Sequence, residues 1–168
     1  MESVDEHRSY APKSLRVAVL TASDSRTEAD DESGAMIASM ATQAGHQLVD
    51  HSISPDESEA IRELLVAAID EHGADVVVLN GGTGFSTRDV SVDAVTPLFD
   101  RSIEGFGEIF RALSYEQVGA AAMLSRASAG VVGQSVVFVV PGSPRAVELA
   151  MTALILPEVT HLIGQLRR

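Results

Sequence analysis

The chain contains no cysteine, which excludes disulfide bonds, cysteine-ligated zinc, iron–sulfur clusters and a thiol nucleophile. Basic charge is also scarce: Lys13 is the only lysine, and the formal net charge over 168 residues is −12. So acidic a chain is not expected to bind nucleic acid or anionic lipid, because both require basic surface patches. Uninterrupted apolar runs fall short of the ~18 residues that a membrane helix needs, so no membrane span is expected.

The remaining composition fits one folded domain. Hydrophobic residues make up 45% of the chain, which excludes general disorder, and the length lies within the ~100–200 residues of a typical domain. Residues 1–14 are polar and charged, with no apolar segment of a secretory signal, and are expected to form a flexible tail. Residues 15–168 are expected to form a single domain, with the cytoplasm as the expected compartment.

A glycine-rich segment at residues 80–89 is the strongest local signal. It follows the β-branched run 75–79, which predicts a strand buried on both faces. Three glycines within four residues let the backbone approach a ligand, and Thr83, Arg88 and Asp89 add a hydroxyl, a cation and a carboxylate. Open α/β sheets bind phosphate-bearing ligands with this layout, although a tight β–α connection without a ligand would need the same glycines. The spacing matches neither a Rossmann nor a Walker motif.

Two other apolar runs end in loops of the same kind. Residues 15–20 lead into Ser23-Asp24-Ser25-Arg26, and residues 136–140 lead into Pro141-Gly142-Ser143-Pro144-Arg145. Because the carboxyl ends of parallel strands meet at one edge of a doubly wound sheet, the three loops are expected to lie together there. Their small residues and arginines indicate a phosphorylated ligand.

Helical periodicity separates these strands. Residues 36–44 and 61–69 carry apolar side chains at helical spacing, as does the segment 106–113. The sequence Ser54-Pro55-Asp56-Glu57 is typical of a helix start, with Ser54 as N-cap and Glu57 completing a capping box. A last helix is expected from residue 144, interrupted or restarted at Pro157.

The link at Gly133-Gln134 is too short to hold a crossover helix. The strands on either side of it, 125–132 and 136–140, are therefore expected to be antiparallel. The predicted fold is a three-layer α/β/α domain with a mostly parallel, doubly wound sheet and one antiparallel strand.

The chemistry that the residues permit rests on carboxylates. There is no G-x-S-x-G sequence and no plausible Ser-His-Asp set, and the histidines are expected to be structural or at the surface. Asp89 follows the glycine loop and Asp56 follows a neighbouring strand, and two acids beside a phosphate site commonly hold Mg²⁺. Asp56 could equally be a first-turn helix acid. The residues predict magnesium-dependent nucleotidyl or phosphoryl transfer, with a non-catalytic binding domain as the alternative.

An ordered set of motifs resembles the MogA/MoaB family of molybdenum cofactor biosynthesis proteins, which is related to the gephyrin G domain. The shared motifs are Ser23-Asp24, Pro55-Asp56, Gly81-Gly82-Thr83-Gly84 with Arg88-Asp89, Glu104-Gly105-Phe106-Gly107-Glu108, Ser125-Arg126 and Pro141-Gly142-Ser143-Pro144. The phrase Pro97-Leu98-Phe99-Asp100-Arg101 is closer to MoaB than to MogA.

The resemblance implies a molybdopterin-binding fold that adenylylates molybdopterin with Mg-ATP before metal insertion. It implies that Asp56 and Asp89 are catalytic and hold Mg²⁺, and that Gly81 to Gly84 and Ser143-Pro144 form the cradle for the pterin phosphate. Arg88, Pro141 and Gly142 are further candidate substrate-binding residues in the same loops. Ser23, Asp24 and Glu108 match pocket-lining positions. The family further implies a homotrimer or homohexamer and a downstream metal-insertion protein as partner.

Two alternatives stay open beside adenylylation. One is a non-catalytic molybdopterin carrier. The other is a CinA-type nucleotide-processing domain of the same fold. Whether molybdenum or tungsten is the eventual metal is open as well.

Overall fold

A computed structural model of the chain describes residues 11–168, and residues 1–10 of the expected tail lie outside them. The strands are β1 (Arg16–Ala22), β2 (Gln47–Ser54), β3 (Val76–Asn80), β4 (Arg101–Ser102), β5 (Ser128–Val132) and β6 (Ser135–Val140). The helices are α1 (Glu32–Gln43), α2 (Ser58–Asp70), α3 (Ser91–Val95), α4 (Glu104–Val118), α5 (Pro144–Ala150) and α6 (Leu156–Leu166). Short 3₁₀ turns occupy Thr96–Leu98 and Gly119–Leu124.

The six strands form one sheet in the order β2-β1-β3-β6-β5-β4. Strands β2, β1, β3 and β6 pair in parallel, whereas β5 is antiparallel to both of its neighbours. Among the described strands β5 alone therefore runs against the others, which confirms the predicted sheet. Strand β4 was not predicted, because two exposed residues carry no periodicity.

Helices cover both faces of the sheet, and alternate residues of the central strands point into two cores. In β1, Val17 and Val19 pack on the side of α1, α4, α5 and α6, whereas Ala18 and Leu20 pack on the side of α2 and α3. All five residues of β3 are buried. Such strands read as continuous apolar runs, which is why the sequence located them correctly.

The predicted start of α2 is three residues too early. Ser54 is the last residue of β2, paired with Ala22 of β1, and its hydroxyl donates to the carbonyl of Pro55 at 2.8 Å. The helix begins at Ser58, and Glu57 at its N-cap makes no side-chain capping bond. Pairing with β1 extends the strand through the capping signature and leaves residues 55–57 as a loop at the sheet edge.

The predicted start of the antiparallel strand is also too early. Strand β5 begins at Ser128, because the backbone N–H of Arg126 donates to the carbonyl of Thr83 at 3.0 Å. Residues 125–127 therefore connect the glycine loop to the sheet.

The stretch Pro144–Leu166 is one continuous 23-residue helical segment. A π-helical turn at Met151–Ile155 precedes Pro157, which has no N–H to donate to the preceding turn. By length and composition alone this segment could cross a membrane, a test that the core helix of a globular domain also passes. In this fold Val147, Met151 and Ile163 are buried against the sheet, as expected of a core helix.

Asp75 secures the opposite, amino-terminal edge of the sheet and should make stability depend on pH. Its side chain is 7% exposed and accepts hydrogen bonds from the backbone N–H of Arg16 at 2.7 Å and from the guanidinium groups of Arg16 and Arg167. Burial raises the pKa of Asp75, but the Arg16 hydrogen bonds and the charge of Arg167 outweigh it, so the pKa is lowered overall.

We expect Asp75→Asn to lower the free energy of unfolding at pH 7 by about 1.5–3 kcal/mol, the range for hydrogen bonds to a charged group. A carboxylate whose pKa falls on folding stabilises above its unfolded pKa of about 3.9 and loses this contribution as pH drops through the folded value. Urea titrations at several pH values should show the difference from wild type shrinking below about pH 4. A difference of constant size across that range would contradict the assignment, and Asp70→Asn, at the exposed end of α2, is the control.

Candidate functional site at the carboxyl edge of the sheet

The three loops predicted to converge do lie together. Strands β1, β3 and β6 are adjacent and parallel, so the loops after Ala22, Asn80 and Val140 leave the same edge of the sheet. The N–H of Gly81 donates to the carbonyl of Val140 at 3.0 Å, which joins the glycine loop after β3 to the end of β6.

The first two glycines of the loop are required by backbone geometry. Gly81 has a φ of +96°, and a Cβ there would lie 2.4 Å from the carbonyl oxygen of Ala22. Gly82 has a φ of +66°, and its Cβ would meet the Ser91 hydroxyl at 2.3 Å. The glycines thus let three chain segments touch, and Thr83 beside them is buried rather than presented to solvent.

Two aspartates and Arg88 form a connected cluster at this edge. The N–H of Asp24 donates to the Asp56 carboxylate at 3.1 Å, and the N–H of Asp56 donates to the Asp24 carboxylate at 2.9 Å. Arg88 binds Asp24 with two hydrogen bonds of 2.9 and 2.8 Å. Residues from the first loop, the β2–α2 loop and the glycine loop are therefore held together.

The carboxylates of this cluster differ in their electrostatics. Burial, followed by the negative charges of Asp24 and Asp89, raises the pKa of Asp56. The hydrogen bond from the Asp56 N–H, followed by those from Arg88, lowers the pKa of Asp24. Hydrogen bonding from Ser86 lowers the pKa of Asp89, so that carboxylate is charged at neutral pH.

Asp89 folds back under the glycine loop. Its carboxylate accepts the Ser86 N–H at 2.9 Å, and a Cβ on Gly84 would lie 2.8 Å from it. Arg88, which precedes Asp89 in the chain, binds Asp24, and Asp24 is hydrogen-bonded to Asp56, so the loop that carries Asp89 lies beside Asp56.

The third loop borders an apolar pocket. Ser143 caps α5, because its hydroxyl accepts the Ala146 N–H at 3.3 Å, and Ser33 of α1 donates to the carbonyl of Gly142 at 2.7 Å. Pro141, Ser143 and Pro144 line a cavity of about 470 Å³ together with side chains of α4 and the turn that follows it.

Glu108 lies on α4 and is not part of the hydrogen-bonded cluster of two aspartates and Arg88, and its place in the site stays a prediction. It lines a depression of about 340 Å³ between α4 and the β4–β5 edge, shared with Phe99 and Ser128. Ser23 stays in the first loop, where its hydroxyl accepts the N–H groups of Ser25 and Arg26 at 3.3 and 3.2 Å.

Sequence reasoning did not assign a site role to Arg126. Its guanidinium donates to the carbonyls of Gly84 and Asp89 at 3.0 and 2.8 Å and to the Asp93 carboxylate at 2.9 Å. It thereby holds both ends of the loop segment 84–89. The Ser-Arg motif flagged the residue, but only the fold places it beneath the loop.

Asp31 was likewise not singled out, although its side chain links the start of α1 to strands β1 and β2 beside the loop that follows β1. It is the N-cap of α1, accepting the Gly34 N–H at 3.0 Å, and it also accepts the Thr21 hydroxyl at 2.7 Å and contacts His51 at 2.9 Å. Asn80 in turn donates to Thr21 at 2.8 Å. These hydrogen bonds connect β1, β2 and β3 next to Asn80, the residue that precedes the glycine loop.

Within residues 11–168, no group of three or more His, Cys, Asp or Glu residues could hold a metal. A pair of carboxylates still suits Mg²⁺, which keeps several waters and takes one or two protein carboxylates together with substrate phosphates. Burial and then the negative charges of Asp24 and Asp89 raise the pKa of Asp56, and a divalent cation between Asp56 and Asp89 would offset that repulsion.

The fold and site define a three-layer α/β protein with a candidate phosphate-ligand site at the carboxyl edge of its sheet. The chain belongs to the family described as probable molybdopterin binding domain, whose model matches residues 18–161. The resemblance found in the sequence is thereby confirmed.

Individual relatives agree with this family. Molybdenum cofactor biosynthesis protein B of Bacillus subtilis is 46% identical over 167 residues, covering 99% of this chain and 98% of the relative. The protein of the same name from Escherichia coli K12 is 42% identical over 144 residues, covering 86% and 85%.

Solved structures show the same fold. A crystal structure of molybdenum cofactor biosynthesis protein B superposes with a TM-score of 0.90 at 46% identity, covering 94% of this chain and 99% of that one. The tungsten cofactor synthesizing protein MoaB from Pyrococcus furiosus gives 0.83 at 40% identity, covering 94% and 100%. A CinA protein from Thermoplasma acidophilum, at 18% identity and a TM-score of 0.61, covering 88% and 98%, shares the fold alone.

Proposed function

We propose that this protein acts in molybdenum cofactor biosynthesis by binding molybdopterin and adenylylating it with Mg-ATP. The family and the names of the relatives support the pathway and the pterin ligand. Because one structural relative is named for a tungsten cofactor, the proposal does not specify which metal is later inserted.

The observation that carries the proposal is the meeting of Asp24, Asp56, Asp89 and Arg88 beside a glycine loop at one sheet edge. Substrate phosphates would lie against the loop Gly81 to Gly84 and the loop Pro141 to Pro144. Arg88 is 56% exposed and paired with Asp24, and its planar guanidinium could exchange that carboxylate for a phosphate.

The reaction would be a nucleotidyl transfer. An oxygen of the molybdopterin phosphate attacks the α-phosphorus of ATP, a new P–O bond forms, and the bond to the β-phosphate breaks to release pyrophosphate. Mg²⁺ bound by Asp56 and Asp89 would supply positive charge to the phosphates. The chain's own part is to align the two phosphates at the glycine loop and to hold Arg88 beside them, since such transfer depends chiefly on positioning and electrostatics.

The direct test is to mix the protein with molybdopterin, ATP and Mg²⁺ and to look for adenylylated pterin and pyrophosphate by mass spectrometry. Stoichiometric formation of both products supports the proposal. Pterin binding without product would leave a molybdopterin carrier, and absence of pterin binding would refute both cofactor roles.

We also propose that the protein is a homo-oligomer. Helix α4 and the following 3₁₀ turn carry several large apolar side chains that are at least half exposed in the single chain, and exposed apolar surface often marks a protein–protein contact. The exposed residues are Ile109, Tyr115, Val118, Met123 and Leu124.

We expect Met123→Asp to shift the protein from an oligomer to a monomer in sedimentation velocity. Met123 is 75% exposed in the single chain, so a charge is tolerated there until a partner covers it. Val66→Asp on α2, also at an exposed apolar residue, should leave the mass unchanged. A wild-type protein that sediments as a monomer would contradict the proposal.

A further inference from the structure

Phe85 is a solvent-exposed aromatic side chain on the glycine loop. It is 70% exposed, which is unusual for a side chain of this size. The other large exposed apolar side chains within residues 11–168 lie on β2, on α2, or on α4 and its following turn. Phe85 therefore stands apart from them, at the edge where the candidate site lies.

The ring is supported from one side by a fixed cation. The guanidinium carbon of Arg126 lies 5.3 Å from the ring centroid, within the range of a cation–π contact. Arg126 is itself held by the carbonyls of Gly84 and Asp89 and by the Asp93 carboxylate. The ring is thus positioned by a rigid base, and its high exposure leaves the opposite side accessible.

The loop around Phe85 connects the ring to the site. Gly84 immediately precedes it, and Asp89 follows four residues later with its carboxylate bonded to the N–H of Ser86. A ligand whose phosphates lie at the glycine loop would therefore have its ring system within reach of Phe85.

We propose that Phe85, supported by Arg126, is a stacking platform for the planar nitrogen heterocycle of the bound ligand. The heterocycle would be either the adenine of ATP or the pterin ring, and the proposal rests on the proposed function. Stacking on an aromatic side chain accepts any flat π system, because it uses the face of the ring rather than its hydrogen-bonding edge. Because Arg126 already holds the Phe85 ring in place, the side chain loses little conformational entropy when a ligand stacks on it.

The test uses the absence of tryptophan from the chain. Phe85→Trp introduces a single tryptophan at the platform, and its fluorescence is followed during titration with ATP, with a pterin, and with inorganic tripolyphosphate in the presence of Mg²⁺. The matched control is Val66→Trp, on the outer side of α2. Phe85→Leu removes the π face while keeping an apolar side chain, and its affinities are measured by equilibrium dialysis.

Stacking of adenine predicts that ATP, but not tripolyphosphate, quenches the introduced tryptophan, and that Phe85→Leu weakens ATP binding by about five- to tenfold. Tripolyphosphate binding should be unchanged in Phe85→Leu. Stacking of the pterin predicts the same pattern for the pterin and no effect on ATP.

Two results would overturn the proposal. If wild-type protein binds ATP and the pterin and Phe85→Leu binds both equally well, the platform is refuted while the proposed function stands. If wild-type protein binds neither heterocycle, the platform and the proposed function fail together. Circular dichroism of Phe85→Leu should match wild type, since the side chain lies outside the core.

Discussion

Replacing Asp89 by asparagine should lower the rate of adenylylation by about 100-fold or more, the usual scale for losing one electrostatic contributor to a transition state. Hydrogen bonding from Ser86 lowers the pKa of the Asp89 carboxylate, so the wild-type site carries this negative charge at neutral pH. Asparagine removes the charge but keeps an oxygen that can accept the Ser86 N–H, so the loop should keep its shape. Single-turnover measurements of pyrophosphate release report the effect.

Binding must be separated from chemistry in this experiment. Molybdopterin affinity should change little in Asp89→Asn, because the phosphate is proposed to lie against the glycine loop rather than the carboxylate. Asp70→Asn, at the exposed end of α2, should turn over at the wild-type rate. Near-normal turnover in Asp89→Asn would remove this residue from the catalytic assignment.

Replacing Gly81 by alanine should destabilise the protein by about 2–4 kcal/mol and abolish ligand binding. About 1–2 kcal/mol comes from placing a β-carbon at a φ of +96°, and the remainder comes from overpacking. The added Cβ would lie 2.4 Å from the carbonyl oxygen of Ala22, a backbone atom that cannot rotate away. Urea denaturation followed by circular dichroism measures the loss.

Gly45→Ala provides a matched comparison for the steric part. Gly45 has a similar φ of +89°, but nothing lies within 4 Å of its Cβ position. It should therefore show only the conformational cost, about 1–2 kcal/mol, with ligand binding unchanged. An equal loss of unfolding free energy in Gly81→Ala and Gly45→Ala would show that contact with Ala22 does not constrain the glycine loop.

Much of the fold could be predicted because buried parallel strands are recognisable locally. The run Val76–Leu79 is apolar at every position, since both of its faces pack against helices. The two-residue link at Gly133-Gln134 was sufficient to predict the antiparallel strand β5. The prediction failed where a local signal competed with long-range strand pairing. Ser54 has the sequence context of a helix N-cap, but it pairs with Ala22 of β1 and is the last residue of β2.

The candidate site was only partly predictable. That Ser23, Asp24, Gly81 and Ser143 belong to loops at one edge follows from the parallel sheet alone. That Arg88 binds Asp24 across 64 positions of the chain, or that Arg126 supports Phe85, does not follow from any local pattern. The role of Glu108 rests on the resemblance alone, because the contacts of the fold neither place it on the aspartate cluster nor separate it from that cluster.

By itself the sequence determined which segments are buried strands and which loops follow them, because burial on both faces and glycine turns depend on neighbouring residues. It also indicated the family through the order of its motifs. The tertiary structure alone decided which charges pair, how burial and the charges of Asp24 and Asp89 raise the pKa of Asp56, and where Phe85 is supported. Those properties depend on distances between residues far apart in the chain, which only the folded sheet brings within hydrogen-bonding and Coulombic range.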